Sequence, residues 1–227
     1  YMTPVFAVIL TIMFGLVLFA LLGENPLVAI ATIFFEPLTD TFTLSEIIVK
    51  ATPLILIAVG LSFGFRAGVW NIGAEGQFTI GALTGGAMGL AFYNVDGMWV
   101  LPLMCLAGAI GGIGWAAIPA FLRTRFNANE ILVTLMLTYV AVLLLSVLVH
   151  GPLKDPEGFN FPESRMFHEA ATMPNLIAET RAHVGFLFAL FVAVIAWVIL
   201  ARHVFGFQVK VMGQAPKAAG LDRKSVA

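Results

Sequence analysis

The sequence predicts an all-α membrane protein, a polytopic helix bundle of about six spans that forms a single domain over residues 1–227. Of the 227 residues, 60% are hydrophobic and only 11% are charged, whereas a water-soluble chain carries about 25% charged residues. Soluble and disordered classes are therefore excluded, since this chain cannot cover itself with a polar surface. The apolar runs are apolar on all sides and do not alternate, which excludes a transmembrane β-barrel.

Six apolar runs are long enough, or nearly so, to cross about 30 Å of hydrocarbon as helices of about 20 residues. They cover residues 4–23, 47–65, 77–93, 98–122, 131–149 and 184–201. A shorter apolar piece, residues 26–35, is bounded by Glu24 and Glu36. It is too short to span a bilayer, and we expect it to be re-entrant or interfacial.

The basic residues predict the orientation, because Lys and Arg accumulate in inner loops. An inner N-terminus places eight of the twelve inside, namely Arg66, Arg123, Arg125, Arg202, Lys210, Lys217, Arg223 and Lys224. The polar, proline-containing stretch 150–183 is then an external loop, and residues 204–227 lie in the cytoplasm.

Residues 64–77, between the second and third runs, combine four glycines with polar side chains. This composition predicts a broken helix at 64–77. Broken helices in a bilayer are tolerated where they face protein or a water-filled cavity, and in transporters they mark the pathway. The candidate residues along a translocation pathway are Phe63, Phe65, Arg66, Trp70, Asn71, Glu75 and Gln77. The alternative is a cytoplasmic turn with a helix cap and a surface ion pair.

Residues that favour the start of a helix occur before the third run and before the fifth. Asn71 is a good N-cap for the helix after the break, and Glu75 then lies in the first turn, where the helix dipole favours an acid. Arg66 is expected to pair with Glu75 across the break. Asn129 and Glu130 repeat the cap and the acidic first turn before the fifth run.

Glycines at intervals of four residues form smooth grooves on two of the predicted spans. Such grooves let helix backbones approach closely within lipid. We assign them to helix packing; they are Gly81, Gly85 and Gly89, and then Gly108 and Gly112.

Several functional classes are excluded by what the sequence lacks. It has no phosphate-binding loop of the Gly-x4-Gly-Lys-Ser/Thr type and no Ser-His-Asp or Cys-His arrangement, so we expect no enzymatic activity. The four histidines show no ligand spacing, and the single cysteine, Cys105, allows no disulfide, so no metal or cofactor is predicted. The net charge of −1 argues against a nucleic-acid partner.

Three stretches resemble one family. Residues 51–56 (ATPLIL) with 65–77 (FRAGVWNIGAEGQ) are similar to permease subunits of bacterial ABC importers, in the branch for simple sugars and nucleosides. The nucleoside-type members are the most similar. Residues 129–139 (NEILVTLMLTY) and 211–219 (VMGQAPKAA) resemble two further stretches of the same family, in the same order.

The resemblance implies a multi-pass permease in the bacterial cytoplasmic membrane that translocates nucleosides by alternating access. Its implied partners are an ATP-binding cassette ATPase that hydrolyses the ATP, a second permease subunit and an extracytoplasmic solute-binding protein. The family's ATPase-docking loop falls within residues 204–227. The residues implied to dock are Gly213, Gln214, Ala215, Pro216, Lys217, Ala218 and Ala219.

The chain departs from the family pattern in two respects. Family members usually carry a few more residues in the docking loop after the two alanines. Here Ala219 is followed directly by Gly220. Family members also continue with further spans, so the resemblance implies a permease domain incomplete at its C-terminus.

Two functional alternatives remain open. One keeps the importer and changes the solute to a simple sugar such as ribose or galactose. The other is an ion-coupled secondary transporter without an ATPase, which would need an ionisable group deep in the bundle; only Glu75 and Glu130 are candidates. A non-transporting scaffold would explain the glycine grooves but not the polar broken segment.

Overall fold

The computed structural model describes residues 2–159 and 161–215, and within them the chain is all-α. The helices are α1 (Thr3–Leu21), α2 (Pro26–Phe34), α3 (Glu36–Thr39), α4 (Thr41–Arg66), α5 (Ala74–Ala91), α6 (Val100–Phe126), α7 (Glu130–His150), α8 (Gly185–Arg202) and α9 (Val204–Gln214). A short 3₁₀ helix, Glu169–Ala171, interrupts the long polar loop.

Five of the six predicted spans are confirmed as helices long and apolar enough to cross a membrane: α1, α4, α6, α7 and α8. The sixth run is the helix α5, which has 18 residues but is less apolar. Its hydropathy is lower because it contains Glu75, Gln77 and several glycines. The helix α2 matches the short apolar piece and bends into α3 at Phe35.

The chain divides into two compact units. The first unit contains the chain up to Thr52 together with Asn175–Phe186. Side chains cap the starts of two of its helices, α2 and α4. Asn25 accepts hydrogen bonds from the backbone of α2. Asp40 accepts from the backbone N–H of Thr43 at 2.8 Å and from its hydroxyl at 2.6 Å, at the start of α4.

The second unit contains Pro53–Pro174 and the described chain from Leu187 onward. Helices α5 and α6 pack backbone to backbone in it. A Cβ atom added at Gly81 would lie 3.1 Å from the carbonyl oxygen of Gly108, and one at Gly85 would lie 3.0 Å from that of Met104. Gly112 similarly faces the carbonyl oxygen of Gln77, and Gly89 faces the Met104 side chain.

The connection between α6 and α7 is held by a cap and an ion pair. Asn129 accepts hydrogen bonds from the backbone N–H groups of Ile131 and Leu132, so its predicted role as an N-cap is confirmed. Glu130 lies in the first turn, as expected. Its carboxylate accepts a hydrogen bond from Arg123 at 2.6 Å, which ties the end of α6 to the start of α7.

Candidate functional site

The predicted break is confirmed, since α4 ends at Arg66 and α5 begins only at Ala74. The end of α4 is a hydrogen-bonded turn of the Schellman type. The N–H of Val69 donates to the carbonyl of Gly64 at 2.9 Å, and that of Gly68 donates to Phe65 at 3.1 Å. Gly68 has a φ of +73°, which glycine adopts without steric cost.

Asn71 organises the middle of the break. Its side-chain oxygen accepts from the N–H of Gly73 at 2.8 Å, and its side-chain nitrogen donates to Gln77 at 3.1 Å. The expectation that Asn71 is the N-cap of α5 was wrong, because Gly73 occupies that position. Asn71 forms a turn two positions before this N-cap, and its side-chain amide reaches past the start of α5 to that of Gln77.

The break rests on α7 through two threonines. The N–H of Ile72 donates to the hydroxyl of Thr134 at 3.2 Å. A Cβ atom added at Gly73 would lie 2.7 Å from the carbonyl oxygen of Thr134, and one at Gly76 would lie 2.8 Å from the Cα of Thr138. Both threonines are buried. They lie one helical turn apart and so share one face of α7. Their contact with the break was not predicted from the sequence, although this spacing was a signal for it.

The charged and aromatic residues of the break do not join the amides. Glu75 lies in the first turn of α5, as expected. The expected ion pair between Arg66 and Glu75 is not formed within the described part of the chain; both residues are exposed. The rings of Phe65 and Trp70 lie 5.2 Å apart and are also exposed.

Phe63 faces a different neighbour. Its ring lies 6.3 Å from that of Phe205 on α9. The seven predicted pathway residues therefore separate into an amide pair, an exposed aromatic pair, two exposed charges and one ring against α9.

The tail contacts the break. The tail begins with the helix α9 over Val204–Gln214. A Cβ atom added at Gly213 would collide with the carbonyl oxygen of Arg66 and lie 3.1 Å from the carbonyl carbon of Ala67. Gly68 also faces Gly213, with 3.6 Å between an added Cβ and the Gly213 Cα.

A second glycine fixes the other end of α9. A Cβ atom added at Gly206 would lie 2.7 Å from the Cα of Leu200 on α8. Gly206 and Gly213 are two helical turns apart, with the buried Val209 between them, so one face of α9 covers the ends of α8 and α4. Gln214 and Ala215 are exposed beyond this contact. The other predicted docking residues, Pro216, Lys217, Ala218 and Ala219, lie outside the described residues.

The chemical character of the site is polar and uncharged where it is packed. The two side-chain amides bond to each other within the break, the hydroxyl of Thr134 and backbone groups form its contact with α7, and the charged side chains are exposed. Among the described residues, no group of three or more His, Cys, Asp or Glu side chains could hold a metal ion.

Comparisons with known proteins agree on a family. The model of the family described as branched-chain amino acid transport system / permease component matches residues 43–222. The glucose ABC transporter permease protein TsgB13 of Haloferax volcanii is 37% identical, over 100% of this chain and 62% of its own length.

Two further relatives are named for nucleosides. The guanosine ABC transporter permease protein NupP of Bacillus subtilis is 29% identical, over 99% of this chain and 66% of its own length. The nucleoside ABC transporter permease protein NupB of Lactococcus lactis is 23% identical, over 98% and 64%. The chain thus spans just under two thirds of the length of these relatives. No solved structure matches it.

Proposed function

Because this chain belongs to the family of branched-chain amino acid transport system permease components, we propose that it forms a solute pathway of an ATP-driven importer. The observation that carries the proposal is the contact between the tail and the break. Gly213 lies against the backbone of Arg66 and Ala67, where α4 ends. A force applied to the tail would thus reach the broken segment directly, without passing through a flexible linker.

The partners follow from this mechanism. An ATPase would dock on the segment that begins at Gly213 and hydrolyse the ATP, while this chain would be non-catalytic. A second permease subunit would complete the pathway. A solute-binding protein would deliver the solute to the outer loop, residues 150–183.

The pathway would run beside the break and the two α7 threonines. The packed polar groups there are the amides of Asn71 and Gln77 and the hydroxyl of Thr134. Such neutral donors and acceptors suit an uncharged solute with several hydroxyl groups. The exposed charges of Arg66 and Glu75 would lie at the rim of the pathway.

The solute would be a simple sugar or a nucleoside. The 37% identity to a glucose permease over the whole chain favours a simple sugar. The nucleoside predicted from the sequence motifs is the second candidate, and the guanosine and nucleoside permeases favour it. Both solutes are neutral and hydroxylated, so the packed polar groups of the break suit either of them.

Uptake in cells tests both the class and the solute. We would compare labelled glucose and labelled guanosine in cells that carry the complete transporter and in cells whose ATPase cannot hydrolyse ATP. Uptake that is lost with the inactive ATPase supports the importer and identifies the solute. Uptake that persists would contradict it and favour the ion-coupled secondary transporter.

A further inference from the structure

A carboxylate outside the candidate site has one unused oxygen. Glu46 lies in the second turn of α4, one of the helices able to span a membrane. Its side chain is only 22% exposed. One oxygen, Oε2, accepts from Arg181 at 3.4 Å. The other, Oε1, is buried and has no hydrogen-bond partner among the described residues.

The nearby buried hydroxyls do not serve this oxygen. The hydroxyl of Ser45 donates to the carbonyl of Phe42 at 2.6 Å, and that of Thr180 donates to Ile177 at 2.9 Å. Within the described chain, no ion pair joins Glu46 to Lys50, which lies one turn further along α4 and is exposed. The buried oxygen therefore remains an acceptor without a donor.

An unpaired buried acceptor is costly, more so when it carries charge. Buried groups of this kind call for an explanation such as a functional role, and ionisable residues within membrane spans are functional candidates by default. Arg181 already balances the charge of Glu46, so a second cation would meet a neutralised pair. What the free oxygen lacks is a neutral O–H or N–H donor.

We propose that Glu46 binds a hydroxyl group of the transported solute through Oε1, while Arg181 positions the carboxylate through Oε2. This inference rests on the proposed function. It assigns the solute to neutral molecules with several hydroxyl groups, a hexose or the ribose of a nucleoside.

Three variants separate binding from structure. Glu46→Gln weakens the acceptor and breaks the charge pairing. Arg181→Gln removes the positioning residue and leaves the carboxylate. Glu36→Gln is the matched control, because Glu36 is an exposed carboxylate of the same unit. Each variant is made in the complete transporter, and its level in the membrane is measured beside the initial rate of uptake.

Glu46→Gln is expected to raise the KM of uptake by about tenfold or more at an unchanged membrane level, as the loss of a hydrogen bond to a charged group predicts. Arg181→Gln should raise the KM less, and Glu36→Gln should leave it unchanged. Glu46→Asp should restore part of the affinity. A reduced membrane level with an unchanged KM in both Glu46→Gln and Arg181→Gln would make the pair structural and overturn the proposal.

Competition by deoxy analogues gives a second readout that does not depend on the protein level. Analogues that each lack one hydroxyl compete with the labelled solute in wild type and in Glu46→Gln. In wild type, an analogue that lacks a recognised hydroxyl competes more weakly than the complete solute. One analogue should compete as well as the complete solute in Glu46→Gln, because the group that recognised the missing hydroxyl is already gone. If every analogue loses the same factor in competition strength in Glu46→Gln as in wild type, the proposal is overturned. The proposed importer would still stand in that case if uptake by the wild type depends on ATP.

Discussion

Gly68 is the residue at which the chain leaves α4, and its left-handed backbone explains why glycine is needed there. We expect Gly68→Ala to destabilise the protein by about 1–2 kcal/mol, because a side chain is strained at positive φ. Gly60→Ala, within α4, is the control, since an added Cβ there meets no atom within 4 Å. Chemical unfolding of the purified permease in detergent measures both. Equal stability of the two variants would contradict the explanation.

Thr134 holds the break through a single hydroxyl. Thr134→Val keeps the shape but removes the acceptor of the Ile72 N–H. We expect a loss of about 1 kcal/mol in unfolding free energy and a lower rate of uptake. Thr134→Ser keeps the hydroxyl and should preserve most of both. A Val variant as stable and as active as wild type would show that this hydrogen bond is dispensable.

The residue contacts differ in how far the sequence could predict them. Asn129 was identified because a capping residue lies within three positions of the N–H groups that it binds. Asn71 was assigned to the right turn but to the wrong position, since its bonds to Gly73 and Gln77 compete with a simple cap. The pair of Arg181 and Glu46 joins residues 135 positions apart, and no local pattern signals such a contact.

At the scale of elements, the spans could be predicted because their sequence is continuously apolar. In lipid such a segment forms a helix, because a helix satisfies the backbone hydrogen bonds within the segment. The helix α9 was not predicted, because polar residues interrupt its apolar ones. Its packing depends on Gly206 and Gly213. Two glycines seven positions apart in a polar stretch are a weak signal without knowledge of the neighbouring helix ends.

The contact of α9 with α4 gives a test of coupling. Gly213→Ala and the larger Gly213→Val should push α9 away from Arg66, because even one methyl group collides with its carbonyl oxygen. We expect ATP hydrolysis by the assembled transporter to persist while solute uptake per ATP falls, more for Val than for Ala. Gly60→Ala, which lies outside the docking segment and where an added Cβ meets no atom within 4 Å, should change neither. A parallel loss of hydrolysis and uptake would indicate failed assembly instead.

The start of α4 gives a prediction on pH. The hydroxyl of Thr43, followed by its backbone N–H, holds the pKa of Asp40 below the ordinary value of 3.8. A lowered pKa in the folded state means that the stabilisation is present above pH 3.8 and is lost as the pH falls through the folded pKa. Unfolding measured against pH should show this loss in wild type and a flatter profile in Asp40→Asn. The same slope in both would rule out Asp40 as its source.

At the scale of the whole molecule, six crossings, by the five helices that qualify as spans and by α5, together with the distribution of basic residues predict which loops face which side. The single cysteine makes this testable, because Cys105→Ala gives a background without thiols. New cysteines at Met166, which is 86% exposed in the outer loop, and at the exposed Gln214 report on opposite sides. A membrane-impermeant thiol reagent should label Met166→Cys in intact cells and Gln214→Cys only after permeabilisation.

The proposed mechanism depends on that result, because the tail must face the compartment that contains ATP. The inner N-terminus places both ends of the described chain inside only if the number of crossings is even. Five helices qualify as spans within the described residues, so α5 must also cross for the orientation to hold. Labelling of Gln214→Cys in intact cells would mean that α5 does not cross or that the whole orientation is reversed. In that case the ATPase could not reach Gly213, and the secondary transporter would become the better explanation.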